Sequence, residues 1–216
     1  MPSFYHRRRN YLITTSLKVM YSSLAQQPEL EPLHDAEAWT RYWLTPGVER
    51  FCLVRDPYDR LVSFYTDKLR TAPKTARKAG WQHCQRIFFA DLALAEEMPD
   101  DQIAERLRAV TFEEFLALLP RLYRKDPHLW PQARSLTYRA GPLPLPAPSG
   151  TILKMEAAAE VCERLALDPT IHVNRTEHDD PHALFRSAGY AIANRIYRND
   201  FKRYGYALRT APEDPL

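Results

Sequence analysis

A short apolar run that stops abruptly constrains the fold of this chain more than any other feature. Residues 50–54, Arg-Phe-Cys-Leu-Val, are typical of a parallel strand that is covered on both faces. The run ends at Arg55, after which Asp56 is a natural helix N-cap and Pro57 fits the first helical position. The pattern therefore predicts a buried strand that passes directly into a helix, which we expect to run to about Leu69.

The same order of strand and helix recurs elsewhere in the sequence. Residues 11–16 are β-branched and apolar and predict a buried strand, which a helix over 18–27 follows. Residues 152–154 predict a further strand, with a helix over 156–165 after it. Parallel-type strands that alternate with helices indicate a three-layer α/β fold, in which ligands bind at the carboxyl ends of the strands. Further helices are predicted over 35–44, after a capping-box sequence at 111–114, and over 182–204.

Length and charge limit the classes of protein to which the chain can belong. The 216 residues carry 30 Lys plus Arg against 27 Asp plus Glu, a formal charge of only +3, which argues against nucleic acid as the partner. We expect one domain over residues 1–216, with a basic tail at 1–9 and a second tail at 207–216.

The cysteines and the hydropathy pattern bear on location. Cys52, Cys84 and Cys162 have neither disulfide nor zinc-site spacing, so we expect reduced thiols in a cytoplasmic protein. No apolar run approaches the ~18 residues that a membrane helix needs. A basic stretch at 6–9 precedes a semi-apolar one at 11–25, as in a secretion signal, but Lys18 interrupts it. Peripheral contact with a membrane is left open.

Two of the predicted strand-to-helix junctions carry residues that bind phosphate. At the first, Lys18 supplies an ammonium group, and Ser22 and Ser23 supply hydroxyl groups near a helix N-terminus. At the second, Arg55 ends the strand and Ser63 follows eight residues later, about two helical turns into the helix. We expect one anion to contact both Arg55 and Ser63.

These junctions resemble the two nucleotide-binding motifs of the sulfotransferases. Lys18-x-x-x-Ser22-Ser23 matches the first motif, and residues 54–65, Val-Arg-Asp-Pro-Tyr-Asp-Arg-Leu-Val-Ser-Phe-Tyr, match the second. The second is most similar to the carbohydrate sulfotransferases, sulfotransferase family 2, in a soluble form of bacterial type. Looser matches at 126–132, 152–156, 172–176 and 200–206 extend the resemblance, in order, from about residue 11 to residue 206.

The resemblance implies a P-loop-like fold whose central, mostly parallel sheet is flanked by helices. It also implies that 3'-phosphoadenosine-5'-phosphosulfate (PAPS) is the sulfuryl donor and that a hydroxyl of a carbohydrate or glycolipid is the acceptor. By position, the residues that would bind the 5'-phosphosulfate are Lys18, Ser22 and Ser23, and those that would bind the 3'-phosphate are Arg55 and Ser63; Tyr21 is a further candidate for cofactor binding.

The first motif departs from the family pattern. Leu17 stands where the family has proline, and the bulky Met20 and Tyr21 follow where the family has small residues. We therefore expect the loop at Lys18 to be distorted. The chain also begins directly at the first predicted strand, so we expect no membrane anchor or stem.

Sulfuryl transfer, like phosphoryl transfer, is an in-line displacement in which charge builds on the leaving oxygen. It needs a cation at that oxygen and a base for the acceptor hydroxyl, and no metal is expected. Lys18 is the candidate cation, with a lysine that merely reaches solvent at a helix start as the alternative. His128 is the candidate base and Glu156 the second choice, although His128 could instead cap a helix or lie on the surface.

Other polar residues have plainer interpretations. Arg55 could merely form a salt bridge beside a capped helix, and Arg60 is expected to face solvent or to brace the loop. Residues 178–182 have metal-ligating side chains but lack a third defined ligand, so we interpret them as a solvated loop.

Two other functions stay open at this point. One is a small P-loop-type kinase or phosphotransferase, which the missing G-x-x-x-x-G-K-[ST] sequence disfavours. The other is a catalytically degenerate relative that binds a nucleotide or an anion, which the bulky loop at Met20 and Tyr21 favours. The sequence does not identify which carbohydrate or glycolipid is the acceptor, because the segments 71–100 and 139–150 match no pattern.

Overall fold

The computed structural model describes residues 2–70, 81–141, 143–145, 150–171 and 181–210. The strands are Ser3–His6 (β1), Tyr11–Thr15 (β2), Leu30–Leu33 (β3), Glu49–Val54 (β4), Arg139–Ala140 (β5), Leu143–Pro144 (β6) and Thr151–Lys154 (β7). The α-helices are Tyr21–Leu24 (α1), Asp35–Leu44 (α2), Pro57–Tyr65 (α3), His83–Arg86 (α4), Asp100–Ala109 (α5), Phe112–Leu122 (α6), Gln132–Ser135 (α7), Ala158–Leu165 (α8), Ser187–Ile196 (α9) and Arg198–Tyr204 (α10). The chain forms two compact units, Met1–Asp56 with Pro131–Arg175, and Pro57–Trp130 with Thr176–Leu216.

The first unit is built on a mixed sheet of five strands in the order β3-β1-β2-β4-β7. The neighbours β2, β4 and β7 run parallel, with Thr15 paired to Leu53 and Val54 paired to Lys154. Parallel strands end at the same edge of a sheet, so the residues that follow β2, β4 and β7 lie at one edge. The predicted α/β class is confirmed.

Apolar side chains cover both faces of this sheet. Phe4 and Tyr5 are adjacent in β1 and contribute to two different cores, because successive side chains of a strand point to opposite faces. One core includes Ala38 of α2, and the other includes Val161 and Leu165 of α8. The unit therefore has the three layers that the sequence predicts, with the sheet in the middle.

Two antiparallel strands of the sheet were not anticipated. Residues 3–6, expected to belong to a basic tail, form β1 and pair with both β2 and β3. The arginines at 7–9 lie in the turn between β1 and β2, where Arg7 and Arg8 pair with Glu31 and Glu29. The prediction of a tail is therefore wrong for residues 3–6. A strand of four residues is too short for a pattern of polar and apolar side chains to distinguish it from a charged terminus.

The helices in the described parts of the second unit pack around one aromatic core. Phe64 and Phe115 are fully buried, and their rings stack at 5.7 Å between centroids. The predicted capping box at the start of α6 is confirmed: Thr111 accepts from the backbone N–H of Glu114, and Glu114 accepts from that of Thr111. The helix predicted from Pro57 to Leu69 is α3 extended by a π-helical turn over Thr66–Arg70.

Other predicted helices are shorter than expected. The helix predicted over 18–27 reduces to α1, since Lys18 and Met20 have left-handed backbone conformations that interrupt a helix. The helix predicted over 182–204 is a 3₁₀ turn, Pro181–Leu184, followed by α9 and α10. It breaks at Tyr197, whose backbone is not helical.

The three cysteines are buried free thiols. Burial raises the pKa of Cys84 to about 11, so this thiol is not a reactive nucleophile near neutral pH. Across the described ranges, every helix is too short or too polar to cross a membrane.

Candidate functional site

The loop between β2 and α1 has an unusual backbone for a segment without glycine. Lys18 has φ 70° and Met20 has φ 52°, both in the left-handed region that side chains disfavour by about 1–2 kcal/mol per residue. The hydroxyl of Thr15 donates to the carbonyl of Val19 at 2.6 Å and so closes the loop from the end of the strand. The backbone of the loop is thus distorted, as expected: Lys18 and Met20 adopt left-handed conformations without glycine, and the Thr15 hydrogen bond helps to hold them.

The predicted phosphate-binding residues of the first motif lie on this loop and on the short helix that follows. Lys18 is half-buried, Tyr21 is exposed, Ser22 is half-buried and Ser23 is buried. The ring of Tyr21 packs against Phe4 at 5.9 Å between centroids.

Arg55 follows β4 at the neighbouring strand end. Its Nη1 donates to the carbonyl of Lys18 at 3.5 Å, which is a long hydrogen bond. Because β2 and β4 are parallel neighbours, the two motif cations emerge side by side at the carboxyl edge of the sheet. The expectation that these junctions follow the carboxyl ends of parallel strands is confirmed for Lys18 and Arg55.

A residue without a predicted role, Gln132, fixes the backbone of Arg55. Its side chain is fully buried. Its Oε1 accepts from the backbone N–H of Arg55 at 2.9 Å, and its Nε2 donates to the carbonyl of Arg55 at 2.7 Å. The hydroxyl of Ser16, directly after β2, donates to the same Oε1 at 3.4 Å. One amide thus links the ends of both strands that carry the motif cations.

Glu156, the second-choice base, lies beyond β7 at the same edge of the sheet. Its Oε1 accepts from the backbone N–H of Asp56 at 2.6 Å. This hydrogen bond ties Glu156 to the backbone that follows β4, which is a structural role.

In the second unit, Ser63 lies in α3 and is buried. Arg60 of the same helix is only 2% exposed, so the expectation that it faces solvent is wrong. Its guanidinium group donates to the carbonyls of His128 and Trp130, at 2.9 and 2.6 Å. Arg60 thus braces a loop, but it is the loop that carries His128 and not the one at the end of β4.

His128 has a carboxylate partner two residues earlier. Oδ1 of Asp126 lies 2.7 Å from His128 Nδ1 and accepts from the His128 backbone N–H at 2.8 Å. Burial raises the pKa of the Asp126 carboxyl, but the hydrogen bonds from His128, with the charges that His128 and His83 can carry, outweigh burial and hold it below its ordinary value. His128 is partly exposed, so its ring is accessible while Asp126 beneath it is not.

The comparison with known families identifies the family to which this chain belongs. A family model described as the sulfotransferase family matches residues 11–143, which is more than half of the chain. The chain belongs to the sulfotransferase family. The match includes both motif junctions of this sulfotransferase as well as His128 and Gln132. No curated protein and no solved structure matches the chain.

The sequence motifs predict the candidate cations, Lys18 and Arg55, but not the groups that hold the backbone beside them. Gln132 contacts Arg55 across 77 positions of the chain, which no local pattern reveals. Asp126 could have been found, because an Asp before Pro, two residues ahead of a backbone N–H that it can accept from, is a common turn signal. The cluster at 178–182 falls largely outside the described residues, and the described part of the sulfotransferase contains no group of side chains suited to a metal.

Replacing Gln132 by leucine should destabilise the sulfotransferase by about 1–3 kcal/mol, since it removes the hydrogen-bond partners of the partly buried N–H and carbonyl of Arg55. The expected result is a lower urea midpoint with an unchanged m-value. Gln102→Leu is the matched control, because Gln102 is exposed on α5. Equal stability of the two variants would show that the Gln132 hydrogen bonds contribute nothing net.

The carboxyl of Asp126 should make the stability of this sulfotransferase depend on pH in the acid range. Its pKa in the folded state is below the ordinary value, about 3.9, that it has in the unfolded chain. Its contribution is therefore complete above about pH 4 and is lost as the pH falls through the lower folded-state pKa. We expect the difference in unfolding free energy between wild type and Asp126→Asn, measured in urea from pH 6 to pH 3, to shrink below about pH 4. A difference that stays constant over this range would contradict the lowered pKa.

Proposed function

We propose that this sulfotransferase uses PAPS as its donor and transfers the sulfuryl group to a hydroxyl of a carbohydrate or glycolipid. The observation that carries the proposal is the pair of motif cations, Lys18 and Arg55, at adjacent parallel strand ends in a chain of the sulfotransferase family. The carbohydrate or glycolipid acceptor rests on the similarity of residues 54–65 to the carbohydrate sulfotransferases.

The donor set of the first unit fits a phosphorylated nucleotide. Lys18 and Arg55 supply two positive charges, and Ser22 and Ser23 supply hydroxyl donors in the same loop and helix. PAPS supplies a sulfuryl group attached to a phosphate that leaves readily. We assign Lys18, Tyr21, Ser22 and Ser23 to the 5'-phosphosulfate and Arg55 to the 3'-phosphate, where a planar guanidinium group can bind bidentately.

Two assignments belong to the second unit. We assign the Ser63 hydroxyl to the 3'-phosphate from the family motif. We assign His128 as the base: its imidazole accepts the proton of the acceptor hydroxyl as that oxygen replaces the phosphate oxygen on sulfur. The Asp126 carboxylate supports this role because it stabilises the imidazolium that forms.

A cytoplasmic location is part of the same proposal. Cys52, Cys84 and Cys162 are free, as thiols are in reducing compartments. Cell fractionation with an antibody to the protein tests this part separately from activity.

A thermal-shift series tests the donor. Adenosine 3',5'-bisphosphate should raise the midpoint without added metal, because a ligand that binds only the folded state stabilises it. Adenosine 5'-monophosphate is the matched control, since it lacks the 3'-phosphate. A response to ATP with Mg²⁺ alone would refute the proposal in favour of a phosphotransferase.

Transfer itself is tested with PAPS labelled in its sulfuryl group and a panel of sugars and glycolipids. We expect the label to appear on at least one hydroxyl acceptor. Nucleotide binding with no transfer to any acceptor would favour the degenerate, non-catalytic relative.

A further inference from the structure

We propose that Asp126 is a positioning residue that fixes the His128 imidazole in the tautomer with its proton on Nδ1, so that Nε2 is the atom that accepts the substrate proton. We also propose that Arg60 and Tyr197 hold the backbone on which this imidazole is mounted. The inference rests on the proposed function of His128 as the base, but its central claim concerns a proton position that can be observed without turnover.

The contact between Asp126 and His128 determines the tautomer. Asp126 is 2% exposed, and its Oδ1 lies 2.7 Å from Nδ1. An ionised carboxylate only accepts hydrogen bonds, so Nδ1 must carry the proton for this contact to be a hydrogen bond. The low pKa of Asp126 is consistent with a carboxylate that stays ionised throughout the neutral range. The lone pair of the neutral imidazole then lies on Nε2.

The second contact of Asp126 places the ring relative to the main chain. The same Oδ1 accepts from the backbone N–H of His128 at 2.8 Å. One oxygen atom therefore binds both the backbone and the ring of His128, which restricts the side-chain torsions as well as the tautomer. The ring also lies near Phe64, at 6.2 Å between centroids.

Buried side chains donate hydrogen bonds to three consecutive carbonyl groups, those of residues 128–130, which we call the His128 loop. Arg60 donates to the carbonyls of His128 and Trp130, and the Tyr197 hydroxyl donates to the carbonyl of Leu129 at 2.8 Å. The Arg60 guanidinium group also lies over the Tyr197 ring, 5.3 Å from its centroid. Arg60 and Tyr197 are almost completely buried, so both donor side chains are themselves shielded from water.

The guanidinium group is suited to this task because of its shape. Two nitrogen atoms of one rigid plane reach carbonyls that are two residues apart in the chain. A lysine carries the same charge on a single atom and lacks this fork. Arg60 thus sets the spacing of the loop backbone around His128, while Asp126 sets the orientation of the ring.

The tautomer is tested by NMR on protein labelled with ¹⁵N in histidine. Long-range ¹H–¹⁵N spectra, recorded at a pH at which His128 is neutral, should show Nδ1 protonated and Nε2 bare in the wild type. His128→Gln assigns the signals by removing them. In Asp126→Ala we expect a shift towards the Nε2-protonated form, which an unconstrained imidazole prefers. An Nε2-protonated ring in the wild type would overturn the inference.

Kinetics test whether Asp126 acts through His128. Asp126→Asn, which keeps the side-chain shape, should lower kcat by at least about tenfold, since a base contributes about 10²–10⁴-fold and the wrong tautomer forfeits part of this. KM for the acceptor and affinity for adenosine 3',5'-bisphosphate should stay unchanged. In a His128→Ala background, Asp126→Asn should have no further effect on kcat. Equal effects in both backgrounds would refute the positioning role and indicate a structural one.

Arg60→Lys tests the contribution of the clamp, by which we mean the hydrogen bonds from Arg60 and Tyr197 to the carbonyls of residues 128–130. We expect kcat to fall with little change in KM, because the charge stays while one of two carbonyl contacts is lost. Arg106→Lys on α5, where Arg106 is exposed, is the matched control. A fully active Arg60→Lys enzyme would refute the clamp. A wild type that transfers no sulfuryl group refutes the proposed function alone, since the NMR spectra still decide the tautomer.

Discussion

Replacing His128 by alanine should lower kcat for sulfuryl transfer by about 10²–10⁴-fold, the range over which a positioned general base accelerates a reaction. The affinity for adenosine 3',5'-bisphosphate should not change, because the residues assigned to its phosphates lie elsewhere in the chain. The experiment combines turnover of labelled PAPS with isothermal titration of the nucleotide.

A histidine without a role in the site provides the control for this experiment. His34 is exposed at the start of α2 and makes no capping hydrogen bond with its side chain, so His34→Ala should retain full activity. If His128→Ala retains its kcat, the base is another group, and Glu156 is then the residue to replace. Because Asp126 stays in place in His128→Ala, a comparison with Asp126→Asn separates loss of the base from loss of its orientation.

Replacing Arg55 by alanine should weaken binding of adenosine 3',5'-bisphosphate by about 10- to 150-fold, since a charge-assisted contact contributes about 1.5–3 kcal/mol. The fold should survive, because Gln132 binds the backbone of Arg55 and not its side chain. Isothermal titration measures the affinity, and thermal unfolding confirms that the variant is intact.

The ligand series makes the Arg55 experiment specific for one phosphate. Affinity for adenosine 5'-monophosphate should be nearly equal in wild type and Arg55→Ala, because that nucleotide has no 3'-phosphate. Arg106→Ala removes the same charge from an exposed helix position and controls for the change in the electrostatic field of the whole protein. An equal loss of affinity for both nucleotides would refute the assignment of Arg55 to the 3'-phosphate.

The elements that could be predicted are those whose pattern is local and strong. Residues 11–16 are rich in β-branched and apolar side chains and residues 51–54 are apolar, and the two segments form β2 and β4 almost as expected. The edge strand β3 was missed because it contains Pro32, which removes a hydrogen-bond donor and obscures the strand pattern. The break at Tyr197 was missed because the helical spacing of apolar residues continues through it.

The same distinction holds for the candidate site. Lys18, Ser22 and Arg55 stand in recognisable motifs, so the sequence alone predicts them. Gln132 and Arg60 act through backbone groups that are 77 and about 70 positions away in the chain, and such contacts leave no local trace. The family motif predicts the charged residues, whereas the backbone contacts of Gln132 and Arg60 are visible only in the three-dimensional structure.

The division of the second unit into Pro57–Trp130 and Thr176–Leu216 has a consequence for the order of events during synthesis. Its aromatic core includes Phe64 and Phe115 from the first segment, and Tyr190, Tyr197 and Phe201 from the second. A growing chain that has released only the first segment leaves these rings partly uncovered, because their packing partners are still on the ribosome. The clamp on the His128 loop can close only after Tyr197 has emerged. The backbone around His128, the proposed base, therefore reaches its final arrangement late in synthesis. By then the strands of the sheet have already left the ribosome and can pair.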